Sequence, residues 1–559
     1  MGLDKKDKAF ALSKITYVDY THIEIDRALL NFFPRLKFDG YPGRVRSSST
    51  ILTIDKFLED FLEEENQDKF VGFAAHQDIV YKWLETDLLD LVNRGKSNQA
   101  VVSPRPLHGN AYKYRNTKHA KDHGSSEQIY WMIYHARKGL GQATRDALKD
   151  FIFAGLDQQT DRILLSDQRI DVETQAILHF DKQVKKDAED RSKEPERYSP
   201  LCIGQADLLA DDILRLLTYE SYMPRSVLVD YLKTLLSFHL GLYHLRLMKL
   251  LPALVKRRGN DPTCERCPVK PRTSSPHGDC PHRIGLLVDM GDPTNPHMTE
   301  LARHSADAHY RRIPGYIEAH LITKKLDEMA EYLKTRNKLS PAGNYFSVGE
   351  VLQLLHPSNN KEREDYFKTR LTPLIERYQQ GGTDSSIPPE VQRIINMSLG
   401  EFDTYIEILV ALRGSFHREA IIKCLDAFLL KNSASGLLRQ SRAKGSPRWF
   451  ALGSRLLEVL LQIAVLEPNG TSFVTREIRV DELLIFLRDR YGLYIDRLPP
   501  GDGFGQPSIV DQQALRKNVT AFKTRLREIG FFQDLSDAYV TQTVTPRYTI
   551  NTENPRGNK

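Results

Sequence analysis

Along most of this chain apolar residues recur at steps of three and four, the spacing of a helix that buries one face. TIDKFLEDFLEEEN (53–66) sets Ile54, Phe57, Leu58, Phe61 and Leu62 in that rhythm. Residues 101–127 interrupt it with Pro104, Pro106, Gly109 and Gly124. Helical spacing resumes from Ile129 to about Phe153 and from about Asp171 to Glu189. The charged run KKDAEDRSKEPERYSP (185–200) ends in prolines and reads as a loop or a helix end. A long helix is predicted from about Arg225 to Arg257. IGLLVDMGDP (284–293) then reads as a short buried strand stopped by Asp289 and Gly291. Helices dominate from about 298 to 430, with PAGNYF and QQGGTDSSIPPE as loops. SASGLLRQSRAKGSPRW (433–449) is rich in Ser, Gly and Arg, has no acidic residue, and reads as a basic linker. No fixed-period repeat is present, so the fold class is mainly α and multidomain, with short strands.

Length changes this picture first. A chain of 559 residues exceeds one hydrophobic core, and three or four domains are expected. The boundaries read as an N-terminal helical region (1–200), a central helical domain (201–432) with an insertion at 262–282, the linker, a C-terminal domain (450–550) and a disordered tail (551–559). An apolar content of 40% with 27% charged residues excludes fibrous and disordered classes. The net charge of +6 is small, so basicity matters where it clusters. The most apolar stretch, 232–255, holds Lys233, Arg246 and Lys249. Central charges cost roughly 2.5–3.5 kcal/mol each in a bilayer, so it reads as a buried helix and no membrane partner is expected. The start, MGLDKKDKAF, has no signal-peptide core, and Gly2 lacks the Ser or Thr context of myristoylation. Five cysteines cannot frame this length with disulfides, which points to a reducing compartment and a cytoplasmic location.

Three of those cysteines fall in PTCERCPVKPRTSSPHGDCPH (262–282). Cys264 and Cys267 form a C-x2-C pair, and His277 and Cys280 an H-x2-C pair nine residues later. Two short turns that each offer two ligands suit tetrahedral Zn²⁺. His282 competes with His277 for the fourth position, and the paired-turn spacing favours His277. Four protein ligands leave no position for water, so such a zinc is structural. Apparent binding energies of about 10–16 kcal/mol are ample to order a loop this poor in apolar residues. Cys202 and Cys424 sit apart in mostly apolar surroundings and read as buried small residues.

Asp289 ends the predicted strand, followed by Asp292, His297, His304, Asp307 and His309. A metal-dependent hydrolase or nuclease is conceivable there, but the spacing matches no metal signature, and triad, P-loop and dinucleotide patterns are missing. No small-molecule cofactor is expected.

The C-terminal segment carries more. RLLEVLLQIAVLEP (455–468) and VDELLIFLRDRYGLYI (480–495) predict helices, the second stopped by Gly492. Asp511 can cap a third helix to about Ile529, whose stripe is Leu515, Val519, Phe522, Leu526 and Ile529. Two β-prone runs follow, Tyr539–Val544 being the clearer, which completes the order of a winged helix-turn-helix. Arg516, Lys523 and Arg527 share one face of the third helix, with Lys517 and Arg525 nearby and Arg439, Arg442, Lys444 and Arg448 upstream. A helix in a major groove needs such residues for phosphates and base edges, so duplex DNA is the expected partner. HGNAYKYRNTKHAKDHG (108–124) interleaves Tyr112 and Tyr114 with Lys113, Arg115, Lys118 and Lys121, a pattern able to stack bases.

The long apolar helix, the CERC…HGDC loop, LLVDMGDP and RDRYGLYIDR together resemble large proteins of bacterial anti-phage defence islands, most of all an accessory component of methylation-associated defence systems. The resemblance implies a cytoplasmic, multi-protein role beside a DNA methyltransferase and carries over no catalytic residues. Three readings result: a non-enzymatic DNA-binding or scaffold subunit with structural zinc, a hydrolase centred on Asp289, or an assembly factor whose winged helix docks a protein.

Overall fold

The computed structural model describes residues 3–43, 53–63, 68–157, 160, 162–164, 170–180, 190–379, 388–443, 445–470, 472–532 and 542–551, with backbone alone at 377–379. It is mainly helical, as the periodicity predicts. The principal helices are α1 (Ile25–Lys37), α2 (Ser125–His135), α3 (Leu140–Ile152), α4 (Ile203–Leu217), α5 (Arg225–Lys256), α6 (Pro296–Tyr310), α7 (Ile313–Thr335), α8 (Asn360–Gln379), α9 (Glu401–Phe428), α10 (Ser454–Ala464), α11 (Val480–Tyr491) and α12 (Ile509–Glu528). Short strands pair locally: β1 (Leu89–Val92) with β2 (Ala100–Pro104), β4 (Leu438–Gln440) with β5 (Arg448–Phe450), and β6 (Leu466–Asn469) with β7 (Ser472–Thr475), all antiparallel.

The apolar run at 232–255 lies within α5, which is buried on all sides against α1, α4, α7, α9 and α10. A helix apolar around its whole circumference has to be enclosed, and α5 is the axis of the body. No helix among the described residues is long and apolar enough to cross a membrane.

Several expectations are corrected locally. The helix expected from 129 to 153 is two, because Lys138 and Gly139 turn the chain at positive φ. The helix expected to reach 468 ends at Ala464, and Pro468, Asn469 and Gly470 turn the next residues into the β6–β7 hairpin. The expected linker carries β4 and β5, Leu438–Gln440 pairing with Arg448–Phe450, rather than open chain, with Leu437, Leu438 and Phe450 buried. α12 is capped by Ser508, not Asp511: the Asp511 N–H donates to Ser508 Oγ (3.2 Å) and Ser508 N–H donates to the Asp511 carboxylate (2.8 Å), a reciprocal cap. The expected helix end at 181–189, the loop core at 380–387, Lys444, the strand start at 539–541 and the tail from 552 lie outside the described residues.

The segment after the cysteine loop joins two parts of the chain. β3 (Leu286–Leu287) pairs in parallel with β9 (Leu493–Tyr494), and Asp289 bridges to Ala451 beside β5. Gly492 is required where β9 begins: its φ is +77°, and a Cβ there would lie 2.2 Å from the Ile284 carbonyl. β10 (Thr543–Val544) pairs antiparallel with β8 (Ile478–Arg479), and Val544 also bridges Phe532. The stripe of α12 faces inward as predicted, with Leu515, Phe522 and Leu526 buried against α6 and the strands.

A buried ion cluster binds α11 to α4. Arg490, 1% exposed, donates through Nη2 to Asp211 (2.8 Å) and through Nε to Asp212 (2.8 Å). Asp211 also accepts from Arg215 and Arg272, and Asp212 from His239 and Tyr491. Burial pushes the Asp211 carboxyl up, but Arg490 and Arg215 outweigh it and hold it at about 2. Arg490→Met leaves two buried carboxylates short of their cation and is expected to lower unfolding free energy by about 3–5 kcal/mol, read from the urea midpoint. Because Asp211 titrates lower folded than unfolded, its contribution is complete above pH about 4 and is lost as pH falls toward 2. Acid unfolding of the wild type should therefore steepen in that window, and less so in the Arg490→Met variant.

Candidate metal centre and basic helix face

The cysteine loop is built from two tight turns laid back to back. Asp261 caps the short helix Pro262–Glu265 by accepting the Cys264 N–H (3.2 Å), and the Cys267 N–H closes the first turn onto the Cys264 carbonyl (3.2 Å). The second turn closes from the Cys280 N–H to the His277 carbonyl (3.2 Å), with Gly278 at φ +49° against Pro268. Burial outweighs the backbone N–H groups of Val269 and His282, which lower the thiol pKa of Cys267 and Cys280, and pushes both up. The first turn of α4 packs on this pair so closely that a Cβ at Gly204 would lie 3.0 Å from Cys267 Sγ.

The expected ligands do not all meet. His277 is buried, and its Nε2 donates to the Arg490 carbonyl (2.9 Å). Arg246 Nη2 lies 3.3 Å from His277 Nδ1 and 3.0 Å from Nε2. His277 thus joins the loop to α5 and α11. Burial and the surrounding guanidinium groups push its pKa well below the usual histidine range. His282 donates to Asp261 (2.9 Å), and ligand atoms of Asp261, Cys264 and His282 lie within 4.8 Å of one another. Cys202, at the N-cap of α4, is partly exposed rather than buried as expected, and Arg246 Nη1 lies 4.0 Å from its sulfur. Burial pushes up the thiol pKa of Cys264, Cys267 and Cys280, that of Cys264 to about 12. Cys424 is buried, as expected.

The groups around Asp289 are separately engaged. Its carboxylate accepts the Gly291 N–H (2.8 Å) and the Thr299 hydroxyl (2.8 Å), and burial pushes its pKa up. Asp292 accepts from Thr294. His297 donates to Asp511 (2.7 Å), and His304 to the Gly503 carbonyl (3.1 Å). His309 donates to the Gly285 carbonyl (2.9 Å), accepts from Arg312 (3.0 Å), and is driven by burial to a pKa of about 4. Asp307 lies half-buried on α6. Asp289 and Asp292 share a cleft of about 310 Å³ with Thr299, Arg439, Trp449 and Arg525, and the three histidines do not line it.

α12 turns its basic residues two ways. Arg516, Lys517 and Arg527 are exposed, and Lys523 is half-buried on the same outer arc. Arg516 and Lys523 line a groove of about 440 Å³ completed by Asp496, Arg497 and Leu498. Arg527 lies over the Phe532 ring at 5.0 Å. Arg525 turns to the other edge, into the Asp289 cleft, and pairs with Glu528 (3.4 Å). Upstream, Arg442 is exposed. Arg448 is committed elsewhere, gripping Asp426 through Nε (2.7 Å) and Nη2 (2.8 Å) beside Tyr310. The patch at 108–124 does not offer stacking rings: Tyr112 and Tyr114 are buried, and Arg115 is buried over the Tyr112 ring.

The chain is a large helical body that carries a cysteine loop and an outward-facing basic helix. Residues 5–548 match the family model of methylation-associated defense system protein MAD7, and the chain belongs to that family. It is therefore a component of a defence system. No curated protein is significantly similar to it.

Asp289 works in this geometry as a loop clamp. Asp289→Ala should lower stability by about 1–3 kcal/mol through two lost hydrogen bonds, measured by chemical denaturation. An unchanged midpoint would contradict that role.

Proposed function

We propose that the chain is a non-enzymatic DNA-binding and scaffold subunit of its defence system, working in the cytoplasm beside the other subunits. The observation that carries the reading is the outer arc of α12. Gln512, Gln513, Arg516, Lys517, Thr520, Thr524 and Arg527 are exposed there, with Lys523 beside them and Glu528 as the acidic member. The order α10, the β6–β7 hairpin, β8, α11, β9, α12, Phe532 and β10, with Val544 between Ile478 and Phe532, is compatible with a winged helix in which α12 is the recognition helix. Arg497 across the groove and Arg442 on the β4–β5 turn extend the positive surface toward phosphates. A structural zinc in the cysteine loop belongs to the same reading and orders the region against which α11 rests.

A second reading has its own observation. Ile509 and Val510 at the start of α12 are 75% and 55% exposed, which suits docking on a partner protein.

Fluorescence anisotropy with duplex DNA over a salt series separates the two. The wild type should bind, and an Arg516/Lys523/Arg527→Ala variant should lose affinity together with about two to three units of log–log salt slope, at about 0.9 per phosphate contact. Absence of DNA binding by both proteins at low salt would sink the DNA reading and favour protein docking.

A further inference from the structure

We propose that the cysteine loop holds Zn²⁺ through the Asp261 carboxylate, the Cys264 thiolate and the His282 imidazole, with a fourth position open to the neighbouring cleft. This site rests on the structural-zinc reading above and gives it a different ligand set. One ligand atom from each of the three residues lies within 4.8 Å of the other two. No other group of three or more His, Cys, Asp or Glu side chains gathers in this way among the described residues.

The three ligands arrive from two directions. Asp261 follows the end of α5, where Arg258 and Gly259 turn the chain at φ +55° and +81°. A Cβ at Gly259 would lie 2.3 Å from the Gly349 carbonyl, so the turn is fixed against that loop. Cys264 sits on the single helical turn that Asp261 caps, with its N–H donating to Oδ1 (3.2 Å). Oδ2 is left for His282, whose Nε2 lies 2.9 Å away. His282 comes from the second turn of the loop and is held by its neighbour. Lys249 of α5 donates to the Arg283 carbonyl (2.8 Å), and Arg283 reaches Asp489 of α11 (3.0 Å).

The donors select the metal. Carboxylate, thiolate and imidazole are all zinc ligands, and a thiolate does not suit Mg²⁺ or Ca²⁺. Asp261 and His282 are 1% and 4% exposed, so the pair is built into the fold and is not a surface meeting of charges. Arg257 also donates to Oδ2 (2.9 Å), but its side chain is half exposed and can turn to solvent when a metal takes its place. Binding releases the Cys264 thiol proton and leaves His282 protonated on Nδ1, and the charges of zinc, carboxylate and thiolate then cancel. Zinc takes four ligands, of which these residues supply three. Asp261 and Cys264 line a cleft of about 350 Å³ with Tyr198, Glu265 and Phe346, from which water completes the set. His277 is engaged elsewhere, between Arg246 and the Arg490 carbonyl.

X-ray absorption at the zinc edge, with zinc titration of the purified full-length chain, tests the site. One zinc per chain is expected, with one sulfur at about 2.3 Å and three nitrogen or oxygen neighbours at about 2.0–2.2 Å. Asp261→Asn keeps an oxygen for the Cys264 N–H, so the turn still folds. It and His282→Gln should each lower zinc affinity by at least about tenfold. Cys267→Ser and Cys280→Ser should leave shell and affinity unchanged. In the cobalt-substituted chain, added imidazole should shift the visible bands by entering the open position. Three or four sulfurs in the shell, one of them lost in Cys267→Ser, would overturn this ligand set and leave a zinc in the loop standing. Full affinity in both Asp261→Asn and His282→Gln would do the same. Cobalt bands that do not move would overturn the open position. A chain that takes up no stoichiometric zinc would overturn the structural-zinc reading itself.

Discussion

The guanidinium of Arg490 is the point through which the rest of the molecule is tied. It is fully enclosed, and it neutralises Asp211 and Asp212 in the second half of α4. The cysteine loop closes on the same spot: Arg272 pairs with Asp211, the Pro271 carbonyl accepts from Arg490, and His277 donates to the Arg490 carbonyl. His239 brings in the axial helix α5 and Tyr491 the end of α11. Two carboxylates buried this deeply are tolerable only while every one of these partners stays in place. The central bundle, the loop and the C-terminal segment are thereby bound into one mutual arrangement.

From that anchor the order passes outward to α12. β3 follows the loop directly and lies beside β9, which follows α11. Asn518 of α12 closes the set: fully buried, it donates to the Val288 and Ile495 carbonyls (2.9 and 3.0 Å) and accepts the Met290 N–H (2.9 Å). One amide thus reads both strands at once and sets the rotation of the helix. The basic arc faces outward because Asn518 and the apolar stripe face inward. In the proposed function, a surface for phosphates gains its fixed aim from this buried polar contact.

Local rules made much of this legible. The apolar circumference of α5, the stripe of α12 and the Gly492 stop follow from spacing and turn chemistry alone, and so do the two tight turns of the cysteine loop. What escaped was set by distance along the chain. Arg448 looks like any surface arginine until Asp426 is brought beside it. Tyr112 and Tyr114 read as exposed stacking rings because nothing local shows that the body folds over them. Asp261 carries no ligand signature in the sequence, and only the fold brings its carboxylate within 4.8 Å of the Cys264 and His282 ligand atoms. Ser508 could have been found, since a Ser three residues before an acid is a capping signature.

If the Arg490 cluster is the shared anchor, the regions it joins open together. Native-state hydrogen exchange of the wild type over a denaturant series tests this most directly. Slow amides of α4, α5, α11 and β3 should converge on one opening free energy and one denaturant dependence. Exchange of 450–550 through a separate opening of lower free energy, while α4 and α5 remain protected, would contradict the account.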